Sequence, residues 1–371
     1  MLIMRGEETR QIVVYRELRC NILSGRYMSV RFPSERSLAM RFKVSRSTIT
    51  RCLSDLERDG LIARRQGSGT FITRQGLSRK IGLIVPGIVP YSEYFQPIVG
   101  EMTRLAKTEM FELRVGNICA RTVDARTHEV RELAAEFIRN KVSGVIYQPL
   151  EYVDGADTTN ERILSVFAKA KIPVVLIDSD ILPPPRRSGY DFVTIDNADA
   201  SERVADHLFE MGARNVHFFM LPEMLPTVAK RIRGVLSSVI LHGHRWTRDN
   251  VIAAHPNDKT AIRRYFCRRC RPDALVCEND MVAAALLRTL TELGIRVPEE
   301  VMLAGFDDMQ YSRLTTPMLT TIHQPSTEIA ETAFRRLVSR IANPDLPPIS
   351  ISLPAPLVVR GSTNRKGNKY G

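Results

Sequence analysis

The sequence predicts an α/β protein in two parts: a small N-terminal helix-turn-helix unit with a β-hairpin wing, then a larger two-lobed domain on two doubly wound parallel sheets. Three observations carry the prediction. The formal net charge is +12, and residues 1–80 hold 17 Lys+Arg against 7 Asp+Glu, so the positive charge is local. Two capped helix starts followed by a glycine-bearing hairpin fill the stretch from Pro33 to Phe71. From Ile81 onward, short Val/Ile/Leu runs alternate with amphipathic segments, the pattern of parallel strands covered by helices on both faces.

Taken in order, Glu7 to Leu23 reads as a first helix with Val14, Leu18 and Ile22 on one face. Ser34 caps a short helix carrying Leu38, Ala39 and Phe42 inward. Ser45 caps a second, whose Ile49, Cys52, Leu53 and Leu56 fall at i, i+3, i+4 and i+7. With that stripe in the core, Arg46, Ser47, Thr50 and Arg51 lie on the opposite side or flank it near the N-terminus, where a recognition helix meets base edges. Gly60 stops the helix. Leu61 to Arg65 and Ser68 to Thr73 then read as two strands around Gln66-Gly67. No acidic residue stands between Arg36 and Ser54. A charge run alone is often a solvated face, but a helix-turn-helix pattern beneath it favours double-stranded DNA as the partner.

Pro33-Ser34-Glu35-Arg36, Val44-Ser45-Arg46-Ser47-Thr48, Leu53, Leu56, Asp59-Gly60-Leu61-Ile62 and Arg65-Gln66-Gly67-Ser68-Gly69-Thr70-Phe71 together resemble GntR-type winged helix-turn-helix domains over roughly the first seventy residues. The resemblance implies that Arg36, Ser45, Arg46, Thr48, Gln66 and Gly67 contact DNA. One departure matters: where the family often has an arginine on the recognition helix, this chain has Thr50, with Arg51 one step later. One residue turns a helical side chain by about 100°, so operator preference does not transfer from a relative.

Met1 to Glu8 has no apolar segment with a cleavage site behind it, and Ile81 to Pro90 is interrupted by Gly82, Pro86 and Gly87, short of the ~18 residues of a membrane span. Six cysteines in 371 residues do not make a disulfide framework. The expectation is a cytoplasmic protein with no membrane partner. Thr73 to Lys80 is a short polar, basic connection. The expected division is therefore a DNA-binding domain over residues 1–73, a linker over 74–80, a two-lobed domain over 81–363 and a disordered tail over 364–371.

In the larger part, strands are expected at 81–86, 111–117, 144–149, 173–179, 192–197, 215–220, 251–255, 273–279 and 301–308, with helices at 97–109, 128–140, 160–170, 199–211, 228–241, 281–293 and 326–342. So many strands exceed one simple sheet, hence two lobes, and the Pro183 to Gly189 loop is the expected crossing between them.

A second resemblance covers almost all of residues 81–363. Its residues include Ile81-Gly-Leu-Ile-Val-Pro86, Pro173-Val-Val-Leu-Ile-Asp178, Arg231-x-x-Gly234, Glu278-Asn279-Asp280, Gly305-Phe-Asp-Asp308 and Leu357-Val-Val-Arg-Gly-Ser-Thr363. This ordered set is similar to the effector-binding domain of LacI/GalR-type repressors, itself related to periplasmic sugar-binding proteins. The combination with a GntR-like reader resembles the arabinose repressor group.

Ligands of open α/β sheets sit beyond the carboxyl ends of the strands, and two lobes place two such edges across one cleft. Asp280 follows an apolar strand at the start of a helix, and Arg231 offers a planar fork of donors to adjacent hydroxyls; both positions contact ligand in the resembled family. The plain alternative is a capping aspartate and a surface arginine. Tyr91, Glu93 and Tyr94 stand in the loop after the first strand, either at the mouth of the cleft against a sugar face or as lobe packing. Gln324 is a further candidate contact, and Asp178 either contacts ligand or fixes an interlobe strand. Asp196, Asn197, Asp307 and Asp308 read as turn and hinge residues.

Cys267-Arg-Arg-Cys270 with Cys277 lacks the second CxxC or spaced His pair of a zinc site. No ordered Ser, His and Asp series suggests a triad, and no Walker phosphate loop is present. No catalytic residue, metal or cofactor is therefore expected, and the chain is not read as an enzyme. The expected function is a ligand-responsive DNA-binding regulator, a repressor of carbohydrate-use genes that acts as a homodimer and senses a sugar or small polyol. The alternative is a sugar-binding or sugar-processing protein without a regulatory role.

Overall fold

The computed structural model describes residues 10–23, 27, 31–65, 68–73, 80–86, 94–120, 122–151, 156–182, 186–267 and 271–365. The N-terminal unit consists of α1 (Arg10–Leu23), α2 (Glu35–Phe42), α3 (Arg46–Arg58) and the antiparallel pair β1 (Ile62–Arg65) and β2 (Gly69–Ile72). Its caps are the expected ones. Ser34 Oγ accepts the Ser37 amide at 3.2 Å, and Ser45 Oγ accepts that of Thr48 at 3.1 Å. Val14, Leu18 and Ile22 from α1, Leu38 from α2 and Ile49, Cys52, Leu53 and Leu56 from α3 close one buried core over Ile62 and Ile72 of the hairpin. Full burial of such a side chain contributes about 1.5–3 kcal/mol. From α1, Arg19 Nη1 donates to the carbonyl of Ile341 at 3.3 Å and Arg16 pairs with Asp345 at 2.7 Å, which ties this unit to the larger domain.

The larger domain holds two parallel sheets. The first lobe's strands are β3 (Lys80–Pro86), β4 (Glu112–Ile118), β5 (Gly144–Tyr147), β6 (Val174–Ile177), β7 (Asp191–Ile195) and β13 (Ser350–Leu353), in the order β13-β7-β6-β5-β3-β4. Its helices are α4 (Phe95–Thr108), α5 (Val123–Arg139) and α6 (Ala156–Lys169). The second lobe orders β8 (Val216–Met220), β9 (Val251–Ala253), β10 (Ala274–Cys277) and β11 (Met302–Ala304) as β11-β10-β8-β9. Around it stand α7 (Asn197–Glu210), α8 (Pro226–Leu241), α9 (Lys259–Phe266), α10 (Asp280–Glu292) and α11 (Tyr311–Leu314). A short pair, β12 (Thr321–Ile322) with β14 (Leu357–Val358), flanks α12 (Ser326–Ala342), which packs on the first sheet, where Arg336 and Arg340 both reach the buried Asp191 of β7.

The strand order corrects one expectation. Strands β6 and β7 are neighbours in one sheet, with Val175 opposite Asp191, so the chain does not change lobes across Pro183–Gly189. It crosses instead at Ile195–Asn197, at His323–Pro325 and at Pro354–Pro356, between elements that belong to different lobes. A buried strand looks alike in composition whichever sheet it joins, so the run over 192–197 could not reveal its partner. Strands β12, β13 and β14 were not expected at all; each has two to four residues, too few for a period to show. Arg365, assigned to the tail, is held by the carbonyls of Pro298 at 2.9 Å and Asp273 at 2.7 Å, while residues 366–371 lie outside the described residues.

Among the described residues, no helix is long and apolar enough to cross a membrane and no cluster of His, Cys, Asp or Glu could hold a metal ion. Cys277 is buried in β10, Cys267 is exposed beyond α9, and Cys270 lies outside the described residues.

Candidate functional site

Two places concentrate polar side chains, and the first is the outer side of the N-terminal unit. Burying the apolar stripe of α3 turns Arg46, Ser47 and Arg51 to solvent, and Arg36 is exposed on α2. Ser45 is committed to its helix: besides accepting the Thr48 amide, its Oγ lies 2.8 Å from both Ser47 Oγ and Thr48 Oγ1. Thr50 is half-buried and gives its hydroxyl to the carbonyl of Arg46 at 3.0 Å and to Glu35 Oε2 at 3.2 Å. The other oxygen of Glu35 takes Arg64 of β1, so one carboxylate joins α2, α3 and the wing. A groove of about 770 Å³, lined by Arg31, Ser34, Glu35, Arg64, Arg65 and Thr70 among others, runs along this junction. Gln66 and Gly67 lie outside the described residues. The surface so formed presents several arginines beside a helix N-terminus, a fit for phosphate and base edges.

The second place is the seam between the lobes, at the carboxyl ends of both sheets. Arg231 projects from α8 and is held on three sides. Its Nε donates to Asn197 Oδ1 at 2.8 Å, its Nη1 to the carbonyl of Glu278, its Nη2 to Asp307 Oδ1 at 3.2 Å, and its guanidinium lies 3.6 Å from the centre of the Phe306 ring. Gly234 makes this position possible. A Cβ there would sit 2.0 Å from the carbonyl oxygen of Ala198, so only glycine lets α8 lie so close on α7. Gln324, at a crossing between lobes, donates to Asp307 at 2.5 Å.

Asp280 begins α10 beneath the cap supplied by Asn279, whose side chain accepts the Val282 amide at 2.9 Å. One carboxylate oxygen accepts the Met309 amide at 2.8 Å, and the other, Oδ1, lies beside the bare Cα of Gly305, where an added Cβ would approach to 2.0 Å. Across the seam, Asp178 directly follows β6 and accepts from Gln148 Nε2 at 3.4 Å. Tyr94, at the start of α4, is buried with its hydroxyl inside the field of Asp178, Asp307, Arg231 and Glu151. Tyr91 and Glu93 lie outside the described residues. The structure thus brings together Tyr94, Asp178, Arg231, Asp280 and Gln324 of the expected contacts.

Three features set this seam apart from ordinary packing. Buried polar atoms are nearly always hydrogen-bonded, and leaving one unpaired costs about 1–3 kcal/mol. Here Tyr94 Oη, Glu151 Oε1, Asn197 Nδ2, Asp280 Oδ1 and Gln324 Oε1 are all buried without a partner. Asp178, Asp307 and Asp308 have φ of 68°, 100° and 53°, a left-handed backbone that non-glycine residues adopt at a cost. Burial also pushes several acids upward: Glu278 to about 7, Glu151 to about 8 with the nearby Asp178 adding to the effect, and Asp178 and Asp280 above the usual carboxylate range. Asp308 goes the other way. Burial works to raise it, but bonds from Arg360, Arg313 and His323 outweigh that and hold it below the ordinary value.

Glu151, Gln148, Glu278 and Phe306 were not among the expected site residues. The rule that ligands gather beyond the carboxyl ends of parallel strands would have found Gln148 and Glu278, which directly follow β5 and β10. Glu151 stands farther along its loop and in no motif.

The geometry defines a class: a DNA-binding transcriptional regulator with a two-lobed sensing domain, and comparison with known proteins agrees. Residues 11–72 match bacterial regulatory proteins of the gntR family, and residues 205–363 match the periplasmic binding protein-like domain. The chain is thus a transcriptional regulator, not an enzyme, that joins a gntR-type DNA-binding domain to a domain of periplasmic binding protein type. It is 29% identical over 343 residues to the arabinose metabolism transcriptional repressor of Geobacillus stearothermophilus, covering 90% of this chain and 91% of that protein. The solved complex of the transcriptional regulator CelR with cellobiose shares the fold at TM-score 0.65 and 20% identity, over 89% of this chain and 100% of that one. A LacI family transcriptional regulator from Enterococcus faecium with bound ribose does so at TM-score 0.62 and 22% identity, over 76% of this chain and 98% of that one.

Proposed function

We propose that the chain is a sugar-responsive repressor of carbohydrate-use genes: a cytoplasmic homodimer whose paired readers bind a two-fold operator and whose cleft binds a sugar or small polyol. The reader spans residues 1–73, a linker 74–80 and the sensing domain 81–363. Arg36, Ser45, Arg46, Ser47, Thr48, Thr50, Arg51, Gln66 and Gly67 form the DNA surface, in which Ser45 and Thr50 act chiefly by holding α3 in place. Tyr91, Glu93, Tyr94, Asp178, Arg231, Asp280 and Gln324 contact the effector. The observation that carries this reading is the set of five unpartnered buried polar atoms contributed by both lobes and the crossings between them. A ligand rich in hydroxyls can satisfy them all at once, and in doing so holds the lobes in one relative position. Relatives and fold neighbours support it: one is a repressor of arabinose metabolism, and two are regulators solved with cellobiose and with ribose.

The effector can shift DNA affinity only through its differential affinity for two states of the protein. Footprinting of the full chain on the DNA upstream of its own gene and its neighbours, with and without pentoses and hexoses, tests the reading. A protected site whose occupancy changes with one sugar is expected; no protection at low salt would overturn it.

A further inference from the structure

The reader sits on the first lobe, and its seat is the C-terminal end of α12. The carbonyl of Ile341 belongs to the last turn of that helix, where carbonyls find no donor from their own helix. Arg19 of α1 supplies one. Its Nη1 donates at 3.3 Å in a half-buried contact, so a side chain of the reader completes a helix of the sensing domain and sets a cation at its negative end. Arg16, one turn earlier on the same face of α1, pairs at 2.7 Å with Asp345, just past that helix end. The buried apolar core is continuous across the junction, with Leu18 and Ile22 in the same cluster as Phe334, Leu337 and Ile341.

Helix α12 is itself tightly held at this end. A Cβ added to Gly144 of β5 would lie 2.7 Å from Leu337 Cδ1 and 3.0 Å from Ile341 Cδ1, and the Phe111 and Phe334 rings meet edge to face with centres 5.7 Å apart. Asp191, which takes Arg336 and Arg340, also accepts the Ile349 amide at 3.0 Å and so fixes the far side of the loop that bears Asp345. The other end of α12 starts from the crossing that carries Gln324. The amide of Gln324 donates to Asp307, the partner of Arg231, and its Oε1 is buried without a partner. On the reader side the contacts run on from α1 to α3: Gln11 Nε2 donates to Asp55 Oδ2 at 3.2 Å, Cys52 Sγ to the Gln11 carbonyl at 3.3 Å, and the Tyr15 hydroxyl to Asp59.

We propose that this seat is a regulatory contact: α12 couples the cleft to the reader, answering to the effector through Gln324 at one end and holding α1, and with it α3, at the other. The coupling rests on the sugar-effector reading above; the seat does not. An effector that engages Gln324 Oε1 changes the tether between Gln324 and Asp307, and a helix packed this closely passes the change along its length. Clamped at Arg16 and Arg19, the reader turns with α12 rather than independently of it. A reader free of the lobe would meet its operator equally well in either state of the cleft, and the effector would have no differential contact through which to act.

The test compares the native full chain with Arg19→Glu, which sets a negative charge against the helix end, with Asp345→Arg, which breaks the seat from the lobe side at an exposed position, and with Asp345→Arg combined with Arg16→Asp, which restores the pair with its charges exchanged. Hydrogen exchange read by mass spectrometry reports the seat without any ligand. Both single variants should exchange faster over α1 and the last turn of α12 together, and the exchanged pair should return toward the native rate. Native rates at the end of α12 in both single variants would overturn the seat and the coupling. The coupling is read by fluorescence anisotropy on the footprinted operator, with and without the same pentoses and hexoses. Losing a bond from a charged donor should cut the sugar's effect on operator affinity by about tenfold in Arg19→Glu, while the sugar's thermal shift on the DNA-free variant persists. An undiminished effect in a variant whose exchange has risen would overturn the coupling and leave the effector reading standing. If no sugar moves the operator affinity of the native chain, that reading falls and the coupling with it, and the exchange rates alone decide the seat.

Discussion

Replacing Arg231 by alanine is the sharpest single perturbation of the cleft. The side chain is 7% exposed and its partner Asp307 9%, so the pair is buried rather than superficial. Alanine removes the bond to Asn197 Oδ1, the bond to the Glu278 carbonyl, the pairing with Asp307 and the stack on Phe306 in one step. Gln324 still donates to Asp307, but a buried carboxylate then faces the seam without its cation. Removing one member of a buried pair costs about 3–5 kcal/mol, mostly through the charge left behind. The chain has one tryptophan, Trp246, half-buried in the second lobe, so its fluorescence during urea unfolding follows the part of the molecule in question. The expected outcome is a midpoint shift equivalent to about 3–5 kcal/mol with Arg231→Ala, and an intermediate loss with Arg231→Lys, which keeps the charge but neither the fork nor the planar stack. The effector-induced thermal shift should vanish in the alanine variant. A loss below about 1 kcal/mol, or an undiminished effector shift, would refute both the buried pair and its place in the site.

Other outcomes follow from the same geometry. Ser45→Ala removes the oxygen that accepts the Thr48 amide and should cost about 0.5–2 kcal/mol in chemical unfolding of the reader. Arg46→Ala keeps the cap and should instead lower DNA affinity and reduce the slope of log affinity against log salt by about 1, measured by fluorescence anisotropy from low to moderate salt. Gly234→Ala drives a methyl into the Ala198 carbonyl and should destabilise by about 1–3 kcal/mol while moving Arg231, so the effector shift falls along with the unfolding midpoint. For pH, Glu278 is raised from 4.5 to about 7 and Glu151 from 4.5 to about 8, so between those values the folded chain holds protons that the unfolded chain has released. Stability of the effector-free protein should therefore fall as pH rises from about 5 to about 8, and Glu151→Gln should flatten the upper part of that decline.

The elements of this protein were legible in its sequence wherever a period had room to repeat. The four apolar residues of α3 recur on one helical face, and all four are fully buried; α12 was expected over 326–342 and occupies Ser326–Ala342. Sheet membership was not legible, because β7 is buried along its whole length, as a strand of either lobe would be. Nothing in the run over 192–197 says that its partner is β6 rather than β8. The same limit separates the two halves of the reader. Arg46 and Arg51 face outward as their spacing requires, but the hydroxyl of Thr50 turns to Glu35, fifteen residues away on another helix, and no helical period contains that contact.

The cleft shows where local pattern stops being informative and why. Asp280, Asp178 and Gln324 could be named in advance because each stands in a motif at a strand end or a crossing, where strand ends converge in any doubly wound sheet, and Arg231 because it stands in a motif on the helix that follows β8. Their charge balance could not. Whether Arg231 is free for a ligand depends on Asn197 and Asp307, which lie 34 and 76 residues away, and on a Gly234 contact that fixes how closely α8 approaches α7. Glu151 became visible only once β5 and β6 were placed side by side, since no spacing in its own loop marks it. A motif therefore identifies the residues that build such a cleft, while the effector it selects is set by the sum of charges that the two lobes bring to one seam.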